Sequence, residues 1–266
     1  MHLELKNDCF ELNLQFKDNC GEASLNPQSF KAENNDNPYD ELGAAHNKGL
    51  EYIARKFGDY IVIEDEIMMK LGVFEDNVIL RASTEYLQSY PFKNSAISDH
   101  LKEKSALYIK EIGQWDPRPG EIPFNTSFPL DTLVATHDWL ERLTYAGVPA
   151  DMFNFALGAL ERGQSSIREF IDRIKQVEAK AAKSELSEDD KLRVFALGSV
   201  ARHSAAYWGA QSSAAKASGP IKSDMKGAAS GMAAGFITGV GILVGGVLGG
   251  LTRSATYLLA KKAVKG

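Results

Sequence analysis

The chain has 266 residues, 44% of them apolar and 24% charged, which fits a folded globular protein and argues against a wholly disordered chain or a polytopic membrane protein. Its net charge of −5 is unevenly spread: residues 1–220 hold 24 basic against 34 acidic side chains, net −10, while residues 221–266 hold six basic side chains and one acid, Asp224, net +5. An acidic body with a basic tail excludes a general nucleic-acid binder, whose basic surface would dominate, and the length suffices for one or two domains with a real core.

The start, Met1-His2-Leu3-Glu4-Leu5-Lys6, lacks the basic and uninterrupted apolar regions of a signal peptide. The expectation is a chain that folds in the cytoplasm of the producing cell with Cys9 and Cys20 reduced. Phe10, Leu12, Leu14 and Phe16 alternate with polar residues, the period of a half-buried strand or a β-capable arm. Residues 17–37 are rich in Asn, Asp and Ser and form a linker.

Asn37 can cap a helix and Pro38 suits its first position. Tyr39, Leu42, His46, Leu50, Ile53 and Phe57 then recur at steps of three and four, one face of a helix. Gly43 and Gly49 within it allow close backbone approach. A second helix is expected over 59–72, with a short strand at 60–63 as the alternative, and a third over about 95–112. Four prolines in thirteen residues, 117–129, interrupt the chain and separate an N-terminal from a C-terminal part. Helices follow over 130–145, 149–162 and 165–183. Ser187 with Asp190 opens another through a capping-box-like S-x-x-D, running to about Ala217 on a face of Leu192, Phe195, Ser199, Arg202, Ala206 and Gly209, with Gly219-Pro220 as its stop. No repeat points to a solenoid. The organisation is an arm and linker (1–36), a helical region (37–115), a Pro-rich linker (116–130), a helical body (131–220) and a Gly-rich segment with a basic tail (221–266).

Residues 227–252 are 26 in succession without a charge, about 39 Å as one α-helix at ~1.5 Å per residue. A hydrocarbon core is about 30 Å thick, so length permits spanning. Nine glycines make insertion marginal. Their spacing is more informative. Gly227, Gly231, Gly235 and Gly239 fall at strict i, i+4 steps, Gly241, Gly245 and Gly249 form a second row, and Gly246 and Gly250 a third pair. Each row traces a groove in which another helix can approach closely. Each glycine costs an isolated helix about 0.8–1 kcal/mol relative to alanine, so the segment must pack against protein, lipid or copies of itself. Arg253, Lys261, Lys262 and Lys265 follow and could anchor it at an anionic membrane surface. The alternative is a buried hairpin in a helical core, breaking near Gly245-Gly246 or Gly249-Gly250.

The stretch from Asn37-Pro38-Tyr39-Asp40 through Gly43, His46-Asn47, Leu50 and Tyr52-Ile53 resembles an N-P-Y/F-D-x-x-G-x-x-H-N-x-x-L-x-Y-I/V motif of uncharacterised bacterial proteins, chiefly of Bacteroidetes type. Ala201-Arg202-His203-Ser204-Ala205-Ala206-Tyr207-Trp208 is similar to an A-R-x-S-x-x-Y-W stretch late in such proteins, where a Gly/Ala-rich C-terminus often begins near D-x-x-G, here Asp224-Met225-Lys226-Gly227. The resemblance covers about a quarter of the chain and implies bacterial origin and architecture, without assigning chemistry. The glycine rows separately resemble the glycine zippers of membrane-inserting toxins and envelope proteins.

Catalytic signals are sparse. His137 and Glu141 share a helix face but need further ligands to hold a metal, and an amphipathic surface helix explains them as well. Cys9 and Cys20 have no redox or zinc spacing. His46 and Asn47 with Asp40 are the best polar constellation; they lack a nucleophile, and the structural reading is that they satisfy buried groups on a helix packed closely at Gly43. Arg202 should pair with an acid of the body, and Tyr207 and Trp208 should anchor a core or interface. There is no phosphate loop or nucleophile elbow.

The expectation is therefore a mainly α protein: a helical body, a β-capable N-terminal arm and a C-terminal Gly-rich helix or hairpin. It is expected to be non-enzymatic, without cofactor or metal. The leading functional reading is a toxin- or effector-like protein that moves from a soluble form to a membrane through its glycine zipper. Membrane lipid, further copies of the chain and a dedicated export machine would be its partners. The alternative is a soluble structural, cargo or interaction protein whose Gly-rich segment is a buried packing or oligomer interface.

Overall fold

The computed structural model describes residues 30–57, 81–95, 97–104, 147–148, 151–237 and 241–263. These are mainly helical, with no strand among them. The expected strand at 10–16, the helices over 59–72 and 130–145, the proline run, both cysteines, His137 and Glu141 lie outside the described residues. The fold is carried by α1 (Glu41–Phe57), α2 (Asp151–Glu161), α3 (Ile167–Lys183), α4 (Glu188–Gly209), α5 (Ala214–Ile237) and α6 (Ile242–Ala263). Helical stretches at 81–89 and 97–104 lie between α1 and α2 in sequence.

Helix α4 is the axis: α1, α3, α5 and α6 all pack against it. The expected one-faced pattern proves too narrow. Residues 193–205 are buried without a break, because small side chains (Ala196, Gly198, Ser199, Ala201, Ser204, Ala205) admit neighbours on every side. Its start is as expected: the Ser187 hydroxyl accepts the Asp190 backbone N–H at 3.2 Å. Helix α3 is one-faced, burying Ile167, Phe170, Ile171, Ile174, Val177, Glu178 and Ala181. A full capping box starts it: the Glu169 N–H donates to Ser166 Oγ at 3.2 Å, and the Ser166 N–H donates to the Glu169 carboxylate at 2.8 Å.

Two boundaries differ from expectation. Helix α4 ends at Gly209 rather than near Ala217, and Pro220 does not stop a helix but lies inside α5. Pro220 has no N–H for the helix ladder, a cost of about 3 kcal/mol in isolation. Ala217, Ile221, Asp224 and Met225, all buried around it, bind the helix to its neighbours and override that preference. The division placed between 220 and 221 thus falls within one helix. Helix α1 begins four residues after Asn37. The Asn37 side-chain oxygen accepts the Tyr39 N–H at 2.8 Å and its carbonyl accepts the Asp40 N–H at 3.2 Å, so Asn37 shapes the turn that precedes the helix.

The Gly-rich run is a hairpin of two helices, not one long helix. The break falls between Ile237 and Ile242, where Gly241 has φ +101°, rather than at Gly245-Gly246 or Gly249-Gly250. An L side chain there is strained. Gly241 also accepts the first turn of α6 on its carbonyl, from the Gly245 N–H at 3.0 Å. The hairpin joins one continuous core with α1: Leu42, Leu50, Ile53, Ile221, Val244 and Leu251 are wholly buried, each worth about 1.5–3 kcal/mol of transfer free energy.

Candidate functional site

Three features meet around α4: a glycine contact in the hairpin and two buried polar clusters. In the hairpin, α5 and α6 touch backbone to backbone. A Cβ on Gly231 would collide with the Gly245 carbonyl and sit 2.9 Å from the Gly249 Cα. A Cβ on Gly249 would collide with the Gly227 carbonyl and sit 2.8 Å from the Gly231 Cα. Gly227 and Gly231 thus face Gly245 and Gly249, one expected row against the other. Gly246 belongs to the same seam, where a Cβ would lie 2.6 Å from Met232 Cγ. Gly235 is on α5, Arg253, Lys261 and Lys262 are on α6, and Gly239 and Lys265 are outside the described residues. Among the described residues no helix is long and apolar enough to cross a membrane.

The first polar cluster joins the chain before α1 to α3 and α4. Arg202 is fully buried. Its guanidinium donates to Glu178 Oε1 from Nε at 3.2 Å and from Nη2 at 3.0 Å, to Asp40 Oδ1 at 2.6 Å, and to the Ala32 carbonyl. Glu178 also accepts Asn34 Nδ2 at 2.6 Å and Asn37 Nδ2 at 2.8 Å. Asn37 Nδ2 reaches the Phe195 carbonyl at 2.8 Å. His203 Nε2 lies 3.3 Å from Asp40 Oδ2. Burial lifts the Glu178 carboxyl above the usual range despite Arg202 and the two amides. Burial pushes the half-buried Asp40 upward too, but the bond from His203 and the Arg202 charge outweigh it and hold Asp40 low. Gly198 makes room for Glu178, whose carboxylate a Cβ there would strike.

Ser199 links this cluster to α1. Its hydroxyl donates to the Asp40 carbonyl at 2.7 Å and accepts the Gly43 N–H at 2.8 Å. A Cβ on Gly43 would meet the Ser199 carbonyl and the His203 ring. The stretches 37–53 and 201–208 therefore lie face to face. No protein-family model matches the chain, and no curated protein or solved structure matches it.

The second cluster is at the root of the hairpin. Asp224 Oδ2 accepts the Ser204 hydroxyl and the Trp208 indole N–H, the latter at 3.0 Å. Asn47 donates from Nδ2 to the His203 carbonyl at 2.8 Å, and its Oδ1 lies 3.1 Å from His46 Nδ1. Tyr207 stacks edge-on against Trp208 at 5.1 Å. Burial raises the Asp224 carboxyl, opposed by the nearby His46 and by the Ser204 and Trp208 bonds.

Of the residues singled out from sequence, Asp40, Gly43, His46, Asn47, Arg202, His203 and Trp208 converge on this α1–α4 junction. Pro38 is exposed, and Tyr39 packs against Phe195 with ring centroids 6.4 Å apart. Glu178 and the roles of Ser199, Ser204 and Asp224 were not foreseen. Glu178 carried a signal, an acid on the apolar stripe of α3; Asp224 carried another, the one acid of residues 221–266. Among the described residues no group of three or more His, Cys, Asp or Glu side chains could hold a metal. The first cluster consists of internally bonded groups under helices, an arrangement suited to fixing helices in register; in the second, His46 Nε2 and Asp224 Oδ1 have no hydrogen-bond partner among the described residues.

Proposed function

We propose that this chain is a non-enzymatic structural or interaction protein whose Gly-rich segment is a packing hairpin within its own core. The observation that carries this reading is the backbone approach of Gly231 and Gly249. Gly227 and Gly231 are occupied by Gly245 and Gly249, so this part of the rows does not wait for lipid or for another copy. The buried clusters at Asp40 and Asp224 join the other helices to this hairpin, and the outward surface of the assembled bundle is what a protein partner meets.

A second reading keeps the segment membrane-active and toxin- or effector-like, with α5 and α6 leaving the body as a pair. It is favoured by the uncharged run 227–252 followed by Arg253, Lys261, Lys262 and Lys265. Flotation of the full chain with phosphatidylglycerol/phosphatidylcholine vesicles separates the two. The first reading expects protein in the aqueous fraction and no dye release at neutral pH, with or without limited proteolysis. Co-flotation with dye release would establish the second and remove the first.

A further inference from the structure

His46 on α1 and Asp224 on α5 are both fully buried, and each has one polar atom without a hydrogen-bond partner among the described residues: His46 Nε2 and Asp224 Oδ1. The His46 ring and the backbone of Asp224 lie against the same point of α6, Gly250. A Cβ on Gly250 would be 3.3 Å from His46 Nε2 and 3.6 Å from the Asp224 carbonyl oxygen. Two orphaned groups of complementary chemistry at one three-helix junction call for a common explanation, because each alone would cost the fold the desolvation of a polar atom.

Their remaining bonds fix the proton chemistry. Asn47 Nδ2 donates to the His203 carbonyl, so Asn47 Oδ1 is the atom facing His46, and it can only accept. His46 Nδ1 must carry a hydrogen. In the neutral ring Nε2 is then a bare acceptor. On the acid, Oδ2 is taken by two donors, Ser204 Oγ and Trp208 Nε1. Oδ1 is the oxygen left to carry or to accept a proton.

We propose that His46 Nε2 and Asp224 Oδ1 share a single proton through one bridging water, and that this proton latches the root of the α5–α6 hairpin to α1. With one proton the pair has no net charge, as neutral acid facing neutral imidazole or as carboxylate facing imidazolium. Removing the proton leaves an unopposed carboxylate in the core. Adding a second leaves an unopposed imidazolium. Either charge weakens the docking of the hairpin. The charged and polar neighbours are Tyr207 of α4, which feels Glu51 of α1 as well as Asp224, and His203 of α4, whose Nε2 lies 3.3 Å from Asp40. At the junction itself α4 otherwise presents Ser204 and Trp208, and α6 presents the backbone of Gly250.

The test is the urea midpoint of the full chain from pH 4.5 to 9, for wild type, His46→Gln and Asp224→Asn, read as each variant minus wild type so that Glu178, Asp40 and the surface cancel. Relative to wild type, His46→Gln should gain as pH falls, because its lone acid becomes neutral on protonation. Asp224→Asn should lose as pH falls, because its lone imidazole becomes charged. Opposite slopes support the latch; flat or parallel difference profiles overturn it. Wild type labelled with ¹⁵N-histidine needs no variant. One imidazole must respond in two pH steps, one for each proton of the pair, and single-step titration of every imidazole overturns the proposal. The result does not depend on whether the hairpin ever meets a membrane.

Discussion

Arg202 is wholly buried and neutralises two acids from two directions, Glu178 on α3 and Asp40 just before α1. Removing one partner of such a buried group leaves charge without compensation. Arg202→Met should therefore lower unfolding stability by about 3–5 kcal/mol in urea titrations. Adding Glu178→Gln should recover part of that loss, so the double variant costs less than the sum of the singles. The acids also set opposite pH slopes. Glu178, raised by burial, contributes stability that is present at acid pH and lost as pH rises through its folded value. Asp40, held low, contributes stability present above the ordinary carboxylate range and lost as pH falls through its folded value. Glu178→Gln should flatten the fall of the urea midpoint as pH rises above the ordinary carboxylate range and leave the acid-side fall due to Asp40 in place. Arg202 was readable as a paired charge because it stands among small residues. Its partners were not, since they are 24 and 162 positions away and only the packing of α3 and the turn onto α4 brings them in.

At the scale of elements, starts were legible and stops were not. Ser187 announces α4 through a bond three residues long, and Ser166 could have been read the same way. Pro220 and Gly209 misled because tertiary burial, not local propensity, decides where α4 ends and α5 runs. The break of the hairpin was equally hidden: nine glycines offer many breaks, and it falls between Ile237 and Ile242. Ser166→Ala removes an exposed cap and should cost about 1 kcal/mol. Gly241→Ala places a Cβ in left-handed backbone, 2.9 Å from His100 Nε2, and should cost more than the ~1 kcal/mol that a relaxed glycine substitution ever gains. Thermal melts of the two variants rank them.

For the whole molecule, one apolar core runs from α1 through α4 to α6, and Trp208 and Asp224 bond across the hairpin root. Hairpin and body should thus unfold together, with tryptophan fluorescence and far-ultraviolet circular dichroism giving coincident transitions. Separated transitions would mean that the hairpin is a unit apart. The mainly helical character could be read from sequence, and a buried hairpin stood there as the alternative; that Gly227 and Gly231 face Gly245 and Gly249 could not be read. The sharpest measurement compares two alanines by urea unfolding. Gly158 on α2 faces only the far end of Arg162, 3.2 Å from a Cβ that the side chain can yield to, so Gly158→Ala should raise stability by about 0.5–1 kcal/mol. Gly249 faces rigid backbone, so Gly249→Ala should lower it by about 1–3 kcal/mol. A neutral or stabilising Gly249→Ala would contradict the packed glycine seam.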